Sequence, residues 1–219
     1  VSYFNDPVLL SKLLNQLWAG FQSTLGIFFF TLLFSLPLGM LVAVFRMSKF
    51  KPLSYLTSFY VLIMRGTPLM LQLFAVYFFL PKLVGPIPKM NSALIAFSLN
   101  YAAYFAEIYR GGIMSIDHGQ YEAGKVLGYT KGQTFLRIIL PQVLKRVILP
   151  VSNEVITLVK DTSLATAIAV GELFLAAKNA TSATGSVEPL FIAGAFYLVM
   201  NTLVTLLVSY LTKRFDYYR

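Results

Sequence analysis

The chain has 219 residues, 57% of them hydrophobic and 12% charged, with a mean hydropathy of +0.70, which excludes a water-soluble domain and points to a polytopic membrane protein. No cysteine is present, so disulfides, thiol catalysis and cysteine-held metals are excluded. The net charge of +9 is spread over connections and a tail rather than gathered into a nucleic-acid-binding patch.

Residues 1–16 read as an outer lead-in, an interfacial helix with Val8, Leu9, Leu13 and Leu14 on one side. Leu17 to Phe45 is the first span, long enough to cross with tilt, and Pro37 and Gly39 mark a kink. This span is expected to act as its own targeting signal. A start at Val1 implies a missing start residue or a removed upstream segment. Arg46 to Lys51 is a basic turn, and Leu53 to Leu80 is the second span, with Arg65-Gly66-Thr67-Pro68 inside it. The proline-rich run Pro81 to Lys89 connects on the outer side to the third span, Ser92 to Tyr109, which carries Asn100, Tyr101, Tyr104 and Glu107. A polar loop follows at 111–137. Ile138 to Val159 is then apolar except around Lys145, Arg146, Asn153 and Glu154. Lys160-Asp161-Thr162-Ser163 interrupts it before Leu164 to Ala177 resumes. After an outer loop, Thr181 to Glu188, the last span is Leu190 to Leu211.

The expected architecture is therefore a single all-α membrane domain with five crossings, the fourth of them broken. Most of the 18 cationic residues fall on one side: Arg46, Lys49 and Lys51, then Arg110 through Arg146, then Lys213, Arg214 and Arg219. The positive-inside rule puts that side in the cytoplasm and the N-terminus outside. Phe28, Phe29, Phe30, Phe78 and Phe79 read as packing, and Phe215, Tyr217 and Tyr218 as an interfacial belt at the inner leaflet.

The loop has its own local logic. Asp117 with Gln120 caps a helix start, Gln120 to Leu127 forms a short helix, and Gly128 supplies the left-handed residue that ends it. Thr130 with Gln133 repeats the capping pattern and starts the next helix towards Pro141. The product is two helices at a glycine elbow, exposing Tyr121, Val126 and Leu127 beside Glu122 and Lys125. So short a helix needs a surface to rest on. The run Gly119-Gln120-Tyr121-Glu122-Ala123-Gly124-Lys125-Val126 nearly spells a phosphate-binding loop. It has Val126 where Ser or Thr must hold magnesium, and no strand precedes it, so ATP binding by this chain is excluded.

Charged groups at membrane depth mark function by default. Counted along straight helices from the nearest charged turn, Arg65 lies roughly 21 Å from the inner surface, Glu154 roughly 12 Å and Asp161 roughly 22 Å; Asn100 descends about 13 Å from the outer side. Glu154 and Asp161 are two helical turns apart and point the same way, suited to hold an ammonium group, while Arg65 suits a carboxylate. Gly66 lets a ligand approach bare backbone, and Pro68 leaves a carbonyl free in the same turn. The candidate substrate-binding set is Arg65, Gly66, Thr67, Asn100, Glu154 and Asp161. The competing reading has Arg65 pairing internally with one of the acids, and Glu107 pairing with Arg110.

Glu122-Ala123-Gly124, the following Gly128 and the closing Ile138-x-Leu140-Pro141 resemble the EAA loop of ABC importer permeases. With Arg65-Gly66-Thr67-Pro68-Leu69, Asn153-Glu154 and Lys160-Asp161-Thr162-Ser163-Leu164, the chain is similar over roughly residues 17–215 to the polar amino acid branch of that family. Members move histidine, glutamine, arginine, cystine and related solutes. Gly124 replaces the second Ala of the usual triplet. The resemblance implies a permease of the bacterial inner membrane that pairs with a second permease, identical or not. It also implies ABC ATPase subunits carrying ATP and magnesium, and an extracytoplasmic binding protein that delivers the amino acid; no cofactor is expected in this chain. The ATPase-docking residues it implies are Tyr121, Glu122, Ala123, Gly124, Leu127 and Gly128. The rivals are an ion-coupled secondary transporter or channel and, far behind, an intramembrane enzyme.

Overall fold

The computed structural model describes residues 3–215, all of whose regular structure is helical. Of the expected inner belt, Tyr217 and Tyr218 lie outside the described residues, as does the side chain of Phe215.

Helix α1 runs from Pro7 to Arg46, 40 residues and therefore about 60 Å. Asp6 caps it, its Oδ1 accepting from the amides of Val8 and Leu9 at 2.9 and 3.1 Å. The expected separate lead-in is thus continuous with the first span, because the cap and Pro7 at the first turn start a helix that nothing downstream stops. The helix continues through Pro37. Gly39 serves packing: a Cβ there would come within 2.8 Å of Phe105 and 3.0 Å of the Ala102 carbonyl oxygen.

The predicted second span is two helices, α2 (Lys51–Gly66) and α3 (Leu69–Val84), bent by 113° at the Arg65–Pro68 motif. Proline forces its predecessor out of the helical region, and Thr67 is extended at φ −122° and ψ 149°. Helix α4 (Lys89–Met114) lies along α1, with Ala93, Ala96, Ala102, Ala103 and Ala106 buried. Small side chains allow helices to approach closely where no hydrophobic effect drives them together. Ile27, Leu73, Phe97, Tyr101, Phe105 and Leu158 fill the core between α1, α3, α4 and the later helix α7.

Two short helices follow, α5 (His118–Val126) and α6 (Lys131–Thr134). A widened turn over Phe135–Ile139 then leads into α7 (Leu140–Asp161). The amide of Leu140 bonds the Phe135 carbonyl five residues back, next to Pro141, which has no amide hydrogen to offer. The expected break falls after Asp161: a 3-10 stretch over Thr162–Ile168, a left-handed Ala169 at φ 55°, then α8 (Leu173–Thr184). Helix α9 (Glu188–Phe215) closes the fold. By length and apolarity α1 and α9 each suffice to cross a membrane, and α2 with α3 suffice only as a bent pair.

Candidate functional site

Two regions hold most of the docking residues and two of the six substrate residues that the sequence singled out. The first is the glycine elbow between α5 and α6. Asp117 caps α5 by accepting from the Gly119 amide at 2.7 Å, and the helix starts two residues before the expected Gln120. Gly128 is left-handed at φ 74°, and the Tyr129 amide reaches back to the Gly124 carbonyl at 3.0 Å, closing the helix end. Thr130 and Gln133 form the reciprocal capping box, at 3.3 and 2.9 Å. Gly124 is buried against Thr134, whose Cγ2 and Oγ1 would each lie 2.5 Å from a Cβ at that position. The departure from alanine is therefore built into the packing of this elbow.

Its exposed face is narrower than expected. Val126 is 87% exposed and Leu127 65%, with Glu122, Ala123 and Lys125 beside them. Tyr121 instead turns inward, against the cluster of Ile116, Ile139, Val143 and Val147, because its ring gains more from that pocket than from water. Gln142 on α7 donates to Gln120 Oε1 at 3.0 Å, so α5 is tied to the foot of α7 by both packing and a hydrogen bond. Arg146 donates to the Ser115 carbonyl and joins the same foot to the end of α4.

The second region is a cleft of about 450 Å3 lined by Arg65, Tyr104, Glu107, Arg146 and Glu154, among others. Arg65 leaves the backbone at the level of Asn100, which binds the adjacent Met64 carbonyl. Its guanidinium then descends along α4, 5.3 Å from the Tyr104 ring centre and 3.9 Å from Glu107 Oε2. Glu107 is bound by Arg110 at 2.7 Å, as the sequence suggested, and also faces Arg46 at 3.6 Å. One carboxylate thus gathers three guanidinium groups from α1, α2 and α4. Arg65 is 44% exposed at its side chain and remains open to a further anion; Glu154 is half-buried across the same cleft.

The other predicted substrate residues sit elsewhere. Asn100 is buried, its amide donating to the Met64 carbonyl and to Gln72 Oε1, both at 2.9 Å. Gln72 in turn donates to the carbonyls of Met64 and Thr67 and to Thr67 Oγ1. The carbonyls freed by the break are thus satisfied by side chains. Gly66 and Thr67 are exposed on the outside of the bend. Asp161 accepts from the buried Tyr101 hydroxyl at 2.8 Å and is not part of the cleft lining.

Sequence reasoning missed two polar groups. Gln72 stands alone in the apolar run Leu69–Leu80, and that isolation was a readable signal. Glu172 is wholly buried; its two oxygens accept from the amides of Phe174 and Leu175 at 2.7 Å each, and Oε2 also accepts from Tyr197 Oη at 2.9 Å. It caps α8 within the segment read as resumed apolar helix, a position marked only by the preceding Gly171.

Residues 35–217 match the family described as "Binding-protein-dependent transport system inner membrane component". The chain belongs to that family: it is a multi-pass inner-membrane permease subunit of the ABC importer class. It is 39% identical over 201 residues to the L-cystine transport system permease protein TcyB of Bacillus subtilis, covering 91% of this chain and 86% of that one. It is 40% identical over 188 residues to the arginine transport system permease protein ArtQ of the same organism, covering 85% and 86%. Among solved structures it resembles one described as an amino acid ABC transporter with histidines, at a TM-score of 0.87 and 31% identity, covering 95% of this chain and 98% of that one.

Proposed function

We propose that the chain forms the translocation pathway of an ATP-driven importer for polar amino acids. The observation that carries this is the pairing of an open, charge-complementary cleft, Arg65 against Glu154, with a separate exposed elbow tied to the helix that bears Glu154. Arg65 takes the substrate carboxylate and Glu154 its ammonium group or a cationic side chain. Tyr104 walls the cleft. Gly66, Thr67, Asn100 and Asp161 complete the set: Asn100 fixes the bend that presents Arg65, and Asp161 waits further along α7 as a second acid on the path. The names of the similar permeases, transporting cystine and arginine, support a polar amino acid.

The chain works as one of a pair of permeases, with five crossings: α1, the bent α2–α3, α4, the broken α7–α8, and α9. Its N-terminus faces outside and its C-terminus the cytoplasm, as the basic residues dictate. An extracytoplasmic binding protein supplies substrate. ATP and magnesium are held by partner ATPase subunits, which dock on Glu122, Ala123, Leu127 and Gly128; Gly124, expected in the same set, is buried against Thr134 and shapes the elbow from within, with Tyr121 anchoring the docking helix from behind. When those subunits close on ATP, α5 is displaced and carries Gln142 with it. Glu154 lies about 18 Å further along the same helix, so rotation at the foot of α7 reshapes the cleft.

Reconstituted vesicles decide the matter. ATP-dependent uptake of a polar amino acid, lost with Glu154→Gln and absent without the ATPase subunits, is expected. Uptake by this chain driven by an ion gradient alone would establish the secondary-transporter reading instead.

A further inference from the structure

We infer that Glu107 sets how long a substrate is held, because its carboxylate competes with the substrate's own for the Arg65 guanidinium. This rests on the reading of the cleft as a substrate pathway and names the group that empties it.

Helix α4 gives the order in which a departing solute meets its walls. Tyr104, Glu107, Gly111 and Ser115 line the cleft in sequence, a run of roughly 16 Å that ends where the elbow begins. On the facing wall Glu154, Pro150 and Arg146 descend α7 in the same direction. Arg65 rests beside Tyr104, its guanidinium 5.3 Å from the ring centre. Glu107 is therefore the first charged group of α4 below the place where a substrate carboxylate would sit. A solute leaving towards the elbow passes it.

The bonding of Glu107 is uneven in a way that suits exchange. Arg110 takes one edge of the carboxylate, Nε donating to Oε1 at 3.0 Å and Nη2 to Oε2 at 2.7 Å. Each oxygen keeps a further acceptor site. That of Oε1 faces Arg46 Nε at 3.6 Å, and that of Oε2 faces Arg65 Nη1 at 3.9 Å. A charge-assisted hydrogen bond closes at about 2.7–2.9 Å, so Arg65 stands roughly 1 Å outside its place on Glu107. Among the described residues nothing accepts a hydrogen bond from its guanidinium, and its side chain is 44% exposed. The arm is attracted by an internal anion and not captured by it.

A substrate carboxylate on Arg65 is thus bound against a standing rival. Two carboxylates about one guanidinium repel each other, so each loosens the hold on the other. Arg110 grips Glu107 from its far edge and keeps the rival in place when Arg65 leans towards the substrate. With no carboxylate at position 107, Arg46, Arg65 and Arg110 would stand unopposed and the anion would stay.

Equilibrium binding of radiolabelled L-arginine, L-cystine and L-glutamine to the assembled permease–ATPase complex, without the binding protein, tests this directly. With Glu107→Gln the Kd of the amino acid that binds is expected to fall about tenfold. Turnover of ATP-driven uptake in vesicles falls with it, because a solute held more tightly leaves more slowly. A merely structural role would lower turnover without tightening binding. Glu107→Asp keeps the charge that Arg46 and Arg110 need but draws it back by one methylene, and is expected to tighten binding about threefold; it carries the test if the glutamine variant fails to assemble. The carboxamide of the same amino acid has no carboxylate to be displaced and is not bound more tightly by either variant. Unchanged or weaker binding of the amino acid in the variants overturns the role of Glu107 and leaves the pathway standing, as does equal tightening of the carboxamide. No binding of any of the three amino acids to the unaltered complex overturns the pathway reading and this inference with it.

Discussion

Two of the bends among the described residues, at Gly128 and at Arg65–Pro68, are held by opposite means. Around Gly128 the turn itself is closed locally, Asp117 capping one helix, Thr130 and Gln133 the next, and Gly124 packing on Thr134, while Gln142 and the Tyr121 pocket only tie its first helix to the foot of α7. At Arg65–Pro68 the local sequence does only half the work. Pro68 stops the helix, but the Met64 carbonyl it strands is served by Gln72 from the next helix and by Asn100, 36 residues away. A helix broken by proline leaves carbonyls that its own backbone cannot serve, and here side chains from two other positions serve them. One elbow is therefore closed by its own consecutive residues, and the other is a fixture of the bundle.

The sharpest way to break this contrast is Gly128→Pro. Proline holds φ near −65° and has no amide to give the Lys125 carbonyl, which Gly128 reaches at 3.0 Å. Uptake is expected to fall about a hundredfold while membrane insertion, read by protease protection, is unchanged, the loss of a strained elbow rather than of a fold. Asn100→Leu tests the other side. It strands the Gln72 oxygen and takes one of two donors from the Met64 carbonyl, and thermal unfolding in detergent is expected to show a loss of about 1–3 kcal/mol. Adding Gln72→Leu does not restore that loss, because the Met64 and Thr67 carbonyls then go wholly unserved; recovery in the double variant would remove Asn100 from the clamp.

A smaller effect separates docking from folding. Leu127→Ala removes a side chain that touches little of its own protein, so stability holds while affinity for the ATPase subunits drops about tenfold in a co-purification titration. The mildest change is Gly124→Ala, whose added methyl collides with Thr134 and costs about 1 kcal/mol of elbow stability. Thr134→Ala in the same chain is expected to relieve it, seen as recovery of protection from limited proteolysis.

The elbow was legible in the amino-acid sequence almost to the residue, because caps and a left-handed glycine are written in consecutive positions. The break after Asp161 was legible for the same reason, a polar run within an apolar one. What could not be read was whatever depends on partners far along the chain. The 113° bend was hidden because Leu53 to Leu80 is apolar enough to be one span, and Tyr121 turned inward because α7 supplies a pocket that its own helix does not reveal. Arg65, Asn100, Glu154 and Asp161 were grouped by backbone depth. Side-chain reach divides them instead, Arg65 descending to Glu107 and Asp161 turning to Tyr101.

Glu172 carries a consequence for how the protein is made. Its carboxylate is sealed from solvent and held by two amides of its own helix and by the hydroxyl of Tyr197, which the ribosome delivers 25 residues later. Until that tyrosine arrives, the start of α8 has an acid that hydrocarbon will not accept. The start of α8 is therefore completed only once α9 has packed beside it, and a chain halted short of Tyr197 is expected to leave that start incompletely bonded.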